Sequence, residues 1–231
     1  MSAWAEQEAS GLPSVDVVAN PYRDALNGGA HALDGGGTIH IVDVTGRVPP
    51  VTCDVRQWMA EPTPSDRSIL DLVDGPILDV GCGPGRMLQA ARDRALEAVG
   101  VDLNPEAAGL ARSRGDRVLE QSVFAPIAGR WNGFLLIDGN IGIGGDPLQL
   151  LRRLRRLAHR GARLLVETDR QEHLEEHYQA VLCDEGGRCG EQFAWSRVGA
   201  HPLRRLARAA DWTPVSEHRI DERTISVLSA S

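Results

Sequence analysis

The stretch Gly75-Pro76-Ile77-Leu78-Asp79-Val80-Gly81-Cys82-Gly83-Pro84-Gly85-Arg86 constrains this chain more than any other. A short apolar run ends in an acid and passes straight into a loop with glycine at every second position. An apolar run of that length, bounded by glycine and proline, reads as a strand buried on both faces. Glycine lets the backbone that follows turn tightly and approach a ligand closely. A buried strand, a glycine loop and then a helix are the parts from which nucleotide-cofactor pockets are built.

Strand and helix signals alternate from there on. Residues 76–80, 98–102, 117–120, 133–138 and 163–167 read as strands. Residues 86–95 read as a helix, and Asn104-Pro105 and Asp146-Pro147 each cap another, with proline at the first turn where its missing N–H costs nothing. This alternation argues for a parallel sheet flanked by helices. The tail departs from it. Residues 179–183 and 192–198 flank Glu185-Gly186-Gly187 as a hairpin, 201–210 read as a helix, and 224–228 as the last strand. Ahead of the core, a short helix starts at Pro21 and Gly35-Gly36-Gly37 breaks the chain. Residues 38–44 and 48–55 read as strands, and 65–72 as a helix leading inward.

With 231 residues, 42% of them apolar, the chain is long enough for one large domain with a sizeable core. Its formal net charge of −7, with no dominant basic stripe, argues against nucleic-acid partners. Arg152-Arg153-Leu154-Arg155-Arg156 is threaded by leucines at helical spacing and reads as the solvated face of an amphipathic helix. No apolar run of about eighteen residues is present, so no membrane span is expected. Met1-Ser2-Ala3-Trp4-Ala5-Glu6 lacks the layout of a signal peptide, which points to a cytoplasmic protein. All 25 strong bases are arginine, which excludes Schiff-base chemistry, a Walker lysine and a lysine general base. The four cysteines form no Cys-x-x-Cys pair. The expected compartment favours free thiols, although Cys183 and Cys189, symmetric about Gly186, would permit a disulfide across the hairpin.

Asp79-Val80-Gly81-Cys82-Gly83-Pro84-Gly85 resembles the first motif of the class I S-adenosylmethionine-dependent methyltransferases, an acid followed by alternating glycines. The resemblance runs from about Gly75 to the C-terminus. It implies that Asp79, Gly81, Cys82, Gly83 and Gly85 surround the methionine part of the cofactor, with Cys82 a small packing residue there. Arg86 then either touches the cofactor carboxylate or sits on the surface. Asp102, about twenty residues past the loop, would accept hydrogen bonds from both ribose hydroxyls, with Leu103 against the adenine. Ser122 stands where the family often has an adenine-binding Asp, and Val123 would offer its backbone. Asp138 and Asn140 would lie beside the methionine and the transferred methyl, in a segment whose glycines allow close approach; a turn-holding role is the alternative for Asn140.

The implied fold is α/β and doubly wound, with a mostly parallel seven-stranded sheet whose final strand is antiparallel. Residues 1–74 would form a cap over the acceptor pocket and 75–231 the cofactor-binding domain. The implied function is methyl transfer from S-adenosylmethionine to a small-molecule acceptor, at oxygen or nitrogen, leaving S-adenosylhomocysteine. Tyr22, Arg23, Trp58 and Trp195 are the candidate acceptor-binding residues. His40, His173, His177 and His201 are the candidate general bases, and the sequence does not choose among them.

Three rivals stand beside this reading. A nicotinamide oxidoreductase needs Gly-x-Gly-x-x-Gly, whereas the third glycine here comes one residue early, at Gly85. A non-catalytic cofactor-binding subunit or regulator would share the same loop. His173-Leu174-Glu175-Glu176-His177 matches a zinc-protease pattern, but no third ligand is evident from spacing, and no metal is expected.

Overall fold

The computed structural model describes residues 20–28 and 37–231. Residues 1–19 and 29–36 of the expected cap, including Gly35 and Gly36 of the expected break, lie outside the described residues. The N-terminal part consists of α1 (Pro21–Gly28), β1 (Thr38–Asp43), β2 (Val51–Asp54), α2 (Val55–Met59) and α3 (Pro64–Leu70). Next come β3 (Ile77–Val80), α4 (Arg86–Asp93), β4 (Ala98–Asp102), α5 (Pro105–Ser113), β5 (Val118–Glu120), β6 (Trp131–Leu136), α6 (Pro147–Leu157) and β7 (Ala158–Thr168). The chain ends with β8 (Glu175–Asp184), β9 (Cys189–Val198), α7 (Ala200–Ala209), β10 (Trp212–Ile220) and β11 (Arg223–Ala230).

Side chains start several helices as the sequence suggests. Asn104 accepts a hydrogen bond from the Ala107 N–H and Asp146 from the Gln149 N–H, each just ahead of a proline. Thr63 and Asp66 form a reciprocal capping box at α3. Leu150, Leu151, Leu154 and Leu157 make one buried stripe along α6.

The main sheet has seven strands in the order β10-β11-β7-β6-β3-β4-β5. β3 is central and wholly buried, with parallel partners on both sides. β11 alone runs against its neighbours. The chain winds outward from β3 through β4 and β5, then returns to place β6 and β7 on the other side. The strand order therefore reverses beside β3, and a crevice opens past the C-terminal ends of these strands.

Alternating side chains feed two cores. Phe134 joins the α6 and α7 side, where its ring meets that of Trp212 edge-on at 5.9 Å. Leu135 joins the α3 and α4 side with Ile69, Leu70 and Met87. The Trp212 indole donates to the Leu151 carbonyl at 2.9 Å, so its one polar atom is satisfied in the core.

Four strands form a second, antiparallel sheet in the order β2-β1-β8-β9. The expected hairpin is its β8–β9 half, and β1 pairs with β8 across a long stretch of chain. Cys183 stands opposite Cys189 in this hairpin and the two are disulfide-bonded, which corrects the expectation of free thiols. Compartment said nothing about register, and register decides the bond.

Three other expectations also change. β10 was not read in the sequence: it is a mostly exposed edge strand carrying Pro214 near a bulge, without apolar alternation. The arginine face of α6 is only partly solvated, because Arg153 caps the Val123 and Ala125 carbonyls at 2.8 and 2.6 Å. His173 and His177 do not share a helix, since residues 175–177 belong to β8. No helix among the described residues is long and apolar enough to cross a membrane.

Candidate active site

The loop after β3 is held from below. Gly81 and Cys82 donate to the Val101 carbonyl at 2.8 and 3.3 Å, and Gly85 donates to Cys82 at 3.1 Å. Gly81, Gly83 and Gly85 all have left-handed φ, a conformation that suits glycine. At Gly81 space is also short: a Cβ would stand 2.8 Å from the Asn140 amide nitrogen. That amide donates to the Val80 and Gly81 carbonyls at 2.9 and 3.0 Å. Asn140 thus ties the loop to the segment after β6. Cys82 packs on Gly100 of β4, and burial pushes its thiol pKa far up.

Asp102 accepts from the Gly83 and Asn104 N–H groups, both at 2.8 Å. Beside it Leu103 is 69% exposed, a large apolar side chain open at the cleft. Ser122 uses its hydroxyl to accept the Phe124 N–H at 3.2 Å, holding the turn that carries Val123. Asp79 lies 2% exposed beneath the loop, and burial, then the charge of Asp138, raise its pKa to about 7.

Asp138 sits at φ +55° and anchors an ion network. Its carboxylate accepts from Arg86 at 2.5 Å and from Arg223 at 3.3 Å. Arg86 also donates to the fully buried Asp66, as does Arg223 at 2.8 Å. Arg223 completes the network on Glu167, at 3.1 and 2.6 Å. Arg86 is therefore not a surface residue: both its terminal nitrogens hold acids.

Two adjoining cavities occupy this crevice. The first, of about 260 Å³, is floored by the loop and Asp102 and walled by Tyr22, Ile39, Ile41, Leu182, Phe193 and Trp195. The second, of about 460 Å³, has the charged residues Glu167, Asp169, Arg170 and Arg197 on its lining. Both are lined by Ile41, Cys53, Trp58, Asp138 and Trp195, so these residues form the boundary between them. Aromatic rings stiffen the wall: Tyr22 and Trp58 pack edge-on at 5.8 Å, as do Phe193 and Trp195.

Residues 53–217 match the Methyltransferase domain family. The chain belongs to that family. The fold resembles an S-adenosylmethionine-dependent methyltransferase from Bacteroides fragilis solved with S-adenosylhomocysteine. The TM-score is 0.73 at 16% identity, over 93% of this chain and 98% of that one. It also resembles the Burkholderia thailandensis 1,6-didemethyltoxoflavin-N1-methyltransferase, at TM-score 0.57 and 17% identity over 95% and 94% of the two chains. A third is CalS10, an amino pentose methyltransferase from Micromonospora echinaspora, at TM-score 0.51 and 15% identity over 72% and 87%. At these identities the likeness is one of fold. No curated protein matches the sequence.

Within this methyltransferase, Asp79, Gly81, Cys82, Gly83, Arg86, Asp102, Leu103, Ser122, Val123, Asp138 and Asn140 all line the first cavity. Gly85 does not; it packs against Ala111 and Asp116, where a Cβ would stand 2.8 Å from the Asp116 carboxylate. Tyr22, Trp58 and Trp195 face the cleft, while Arg23 turns away to Asp24. None of the four candidate histidines lines either cavity. His40 alternates with the cleft-facing Ile39 and Ile41 and lies 3.1 Å from the Thr52 hydroxyl on β2. His177 lies 3.0 Å from the Gly145 carbonyl, and His173 and His201 face each other.

The glycines after Asp138 serve a purpose the sequence reading missed. A Cβ at Gly142 would stand 2.2 Å from the Ser196 carbonyl, and one at Gly145 2.6 Å from Ala194. Gly142 and Gly145 admit β9. Ile39, Cys53, Leu182 and Phe193 were also missed. The alternation of Ile39 and Ile41 in β1 marked one apolar face, but nothing local showed what that face covers.

Proposed function

We propose that this methyltransferase uses S-adenosylmethionine to methylate a small molecule, at oxygen or nitrogen, and that the acceptor has a flat apolar body. The carrying observation is that the cavity holding the glycine loop and Asp102 is also walled by aromatic rings and adjoins a second cavity at Trp58, Trp195 and Asp138. The first cavity offers the donors and acceptors a nucleoside needs, at the loop and Asp102, and its wall carries the rings of Tyr22, Trp58, Phe193 and Trp195, which suit a planar acceptor. The toxoflavin-precursor and amino pentose methyltransferases of similar fold act on small molecules, which supports the class.

The site's chemistry fits the cofactor. Asp102 would hold the ribose hydroxyls, and the open apolar face of Leu103 suits an adenine, with Val123 on the same cavity lining. Asp138 stands at the methionine end with its orientation fixed by two arginines. The cofactor supplies a methyl group already activated by its sulfonium. The chain's own contribution is to orient the acceptor and exclude water. None of the four candidate histidines lines either cavity, and an acceptor that brings an available lone pair of its own needs no base.

Thermal-shift and calorimetric titrations with S-adenosylmethionine, S-adenosylhomocysteine and NADPH test this. The first two should stabilise the protein, and stabilisation by NADPH alone would overturn the cofactor assignment. Labelled-methyl transfer to a panel of planar phenols, amines and carboxylates then tests the acceptor. Trp195→Ala should raise the acceptor KM and leave cofactor affinity unchanged.

A further inference from the structure

We propose that Glu172, His173 and His201 form a surface site for a first-row divalent transition-metal ion of the zinc type. It lies outside the cofactor cleft and is independent of the methyl-transfer reading. The site brings together the turn after β7 and the first turn of α7, which is locked onto it. The His201 N–H donates to the Glu172 carbonyl at 2.9 Å, the Gly199 N–H to Leu174 at 2.8 Å, and the Leu174 N–H to Gln171 at 2.9 Å. Gly199 makes this approach possible, since a Cβ there would stand 2.2 Å from the Gln171 carbonyl.

This scaffold delivers the two imidazoles face to edge. Their Nδ1 atoms are 2.9 Å apart, with ring centroids at 4.1 Å and planes at 89°. One ligand atom from each of Glu172, His173 and His201 can be chosen so that all lie within 4.8 Å of one another. The Glu172 carboxylate stands 3.9 Å from the His201 Nε2, the other nitrogen of that ring, so Glu172 turns its exposed side chain to join the two Nδ1 atoms on an ion. Metal–nitrogen bonds of about 2.0–2.1 Å place neighbouring ligands roughly 2.9–3.4 Å apart, so the histidine pair already has the spacing of two adjacent ligands. In the metal-free pair one Nδ1–H must point at the other Nδ1. An ion replaces that hydrogen bond, with both rings coordinating through Nδ1 and keeping their proton on Nε2.

Two imidazoles and a carboxylate are the donor set that zinc, cobalt and nickel ions prefer. All three side chains are exposed, so an ion arrives from solvent and completes its shell with water. Of the sequence pattern His173-Leu174-Glu175-Glu176-His177, only His173 takes part, and its partner comes from 28 residues away. Residues Asp169, Arg170 and Gln171 of the same turn wall the second cavity, so a bound ion ties that wall to α7.

The test uses the full chain, stripped with chelator and titrated with Zn²⁺ against a chromophoric competitor, and with Co²⁺ by visible absorption. The expected result is one tight equivalent, with a metal-dependent rise in Tm. His173→Ala and His201→Ala should each weaken binding by more than about tenfold, the scale of losing an outer-shell partner alone. Glu172→Gln should weaken it less, and His177→Ala and His218→Ala should bind as wild type. Metal-free Tm values check that each variant folds. Zn²⁺ affinity unchanged in the His173→Ala and His201→Ala proteins, or no tight equivalent in the wild type, overturns the site.

Discussion

Asp102 accepts backbone N–H groups from Gly83 and from Asn104, one on each carboxylate oxygen. It thereby fixes the glycine loop and the start of α5 against each other, and each oxygen keeps lone-pair capacity toward the cleft. Asp102→Ala should cost on the order of 1–3 kcal/mol of S-adenosylmethionine binding, read by calorimetry; unchanged affinity would remove Asp102 from the site. Asp79 carries a second prediction. Buried beneath the loop, it holds its proton up to about pH 7, against 3.8 for an ordinary aspartate. The folded chain thus binds a proton that the unfolded chain releases. The resulting stability is fully present below 3.8 and is lost as pH rises through about 7. Asp79→Asn keeps a neutral side chain, so stability should move in the variant's favour over that window and then level off. A wild-type-to-variant difference in Tm that stays flat with pH would show Asp79 to be ionised throughout.

The β8–β9 hairpin supplies Leu182, Phe193 and Trp195 to the cleft wall. It is held in three ways: β1 pairs along one edge, the glycine turn after Asp138 lets β9 sit close, and Cys183–Cys189 closes the tip. The disulfide spans a sequence separation of only 6, and the chain-entropy treatment gives such a short loop about 2 kcal/mol. The double substitution Cys183→Ser with Cys189→Ser should lower unfolding stability by about that amount in a urea titration. Reductant should lower the Tm of the wild type and not that of the double variant. A wild type indifferent to reductant would show that the bond contributes nothing. Both hairpin strands were legible as apolar segments about a glycine turn, and β1 was legible as a strand over residues 38–44. The pairing of β1 with β8 was not, because pairing across so much chain leaves no local mark.

At the scale of the molecule, the ion network under Asp138 joins elements from across the fold. Asp66 comes from α3, Arg86 from α4, Glu167 from β7 and Arg223 from β11. Asp66 and Arg223 are separated by 157 residues. Asp66 has no exposed side-chain surface, and the Arg223 side chain is 17% exposed, so solvent screens this contact little. Removing one partner of such a buried pair leaves uncompensated charge, which costs about 3–5 kcal/mol. Arg223→Met should therefore lower stability on that scale, and cofactor affinity should fall with it as Asp138 loses one of its two arginines. A loss no larger than that of an exposed ion pair, about 1 kcal/mol or less, would show that water screens the network.

The sequence by itself determined the alternating strands and helices, the glycine loop, and the spacing of Asp102 and Asp138 at strand ends. These are local properties: apolar runs, caps and glycine conformations act over a few residues, and the pattern of a buried parallel strand is continuous along the chain. Only the tertiary structure decided what meets what. It turned the four candidate histidines away from the cleft, drew Arg86 into a network with Asp66 and Asp138, and bonded Cys183 to Cys189. It also set the N-terminal strands beside the C-terminal hairpin as one wall. Those outcomes depend on register and on contacts between distant segments, where a one-residue shift moves a side chain to the opposite face. The glycine loop therefore pointed to a nucleotide-type pocket before any folding, while the shape of the cleft came only from how the chain closes over that pocket.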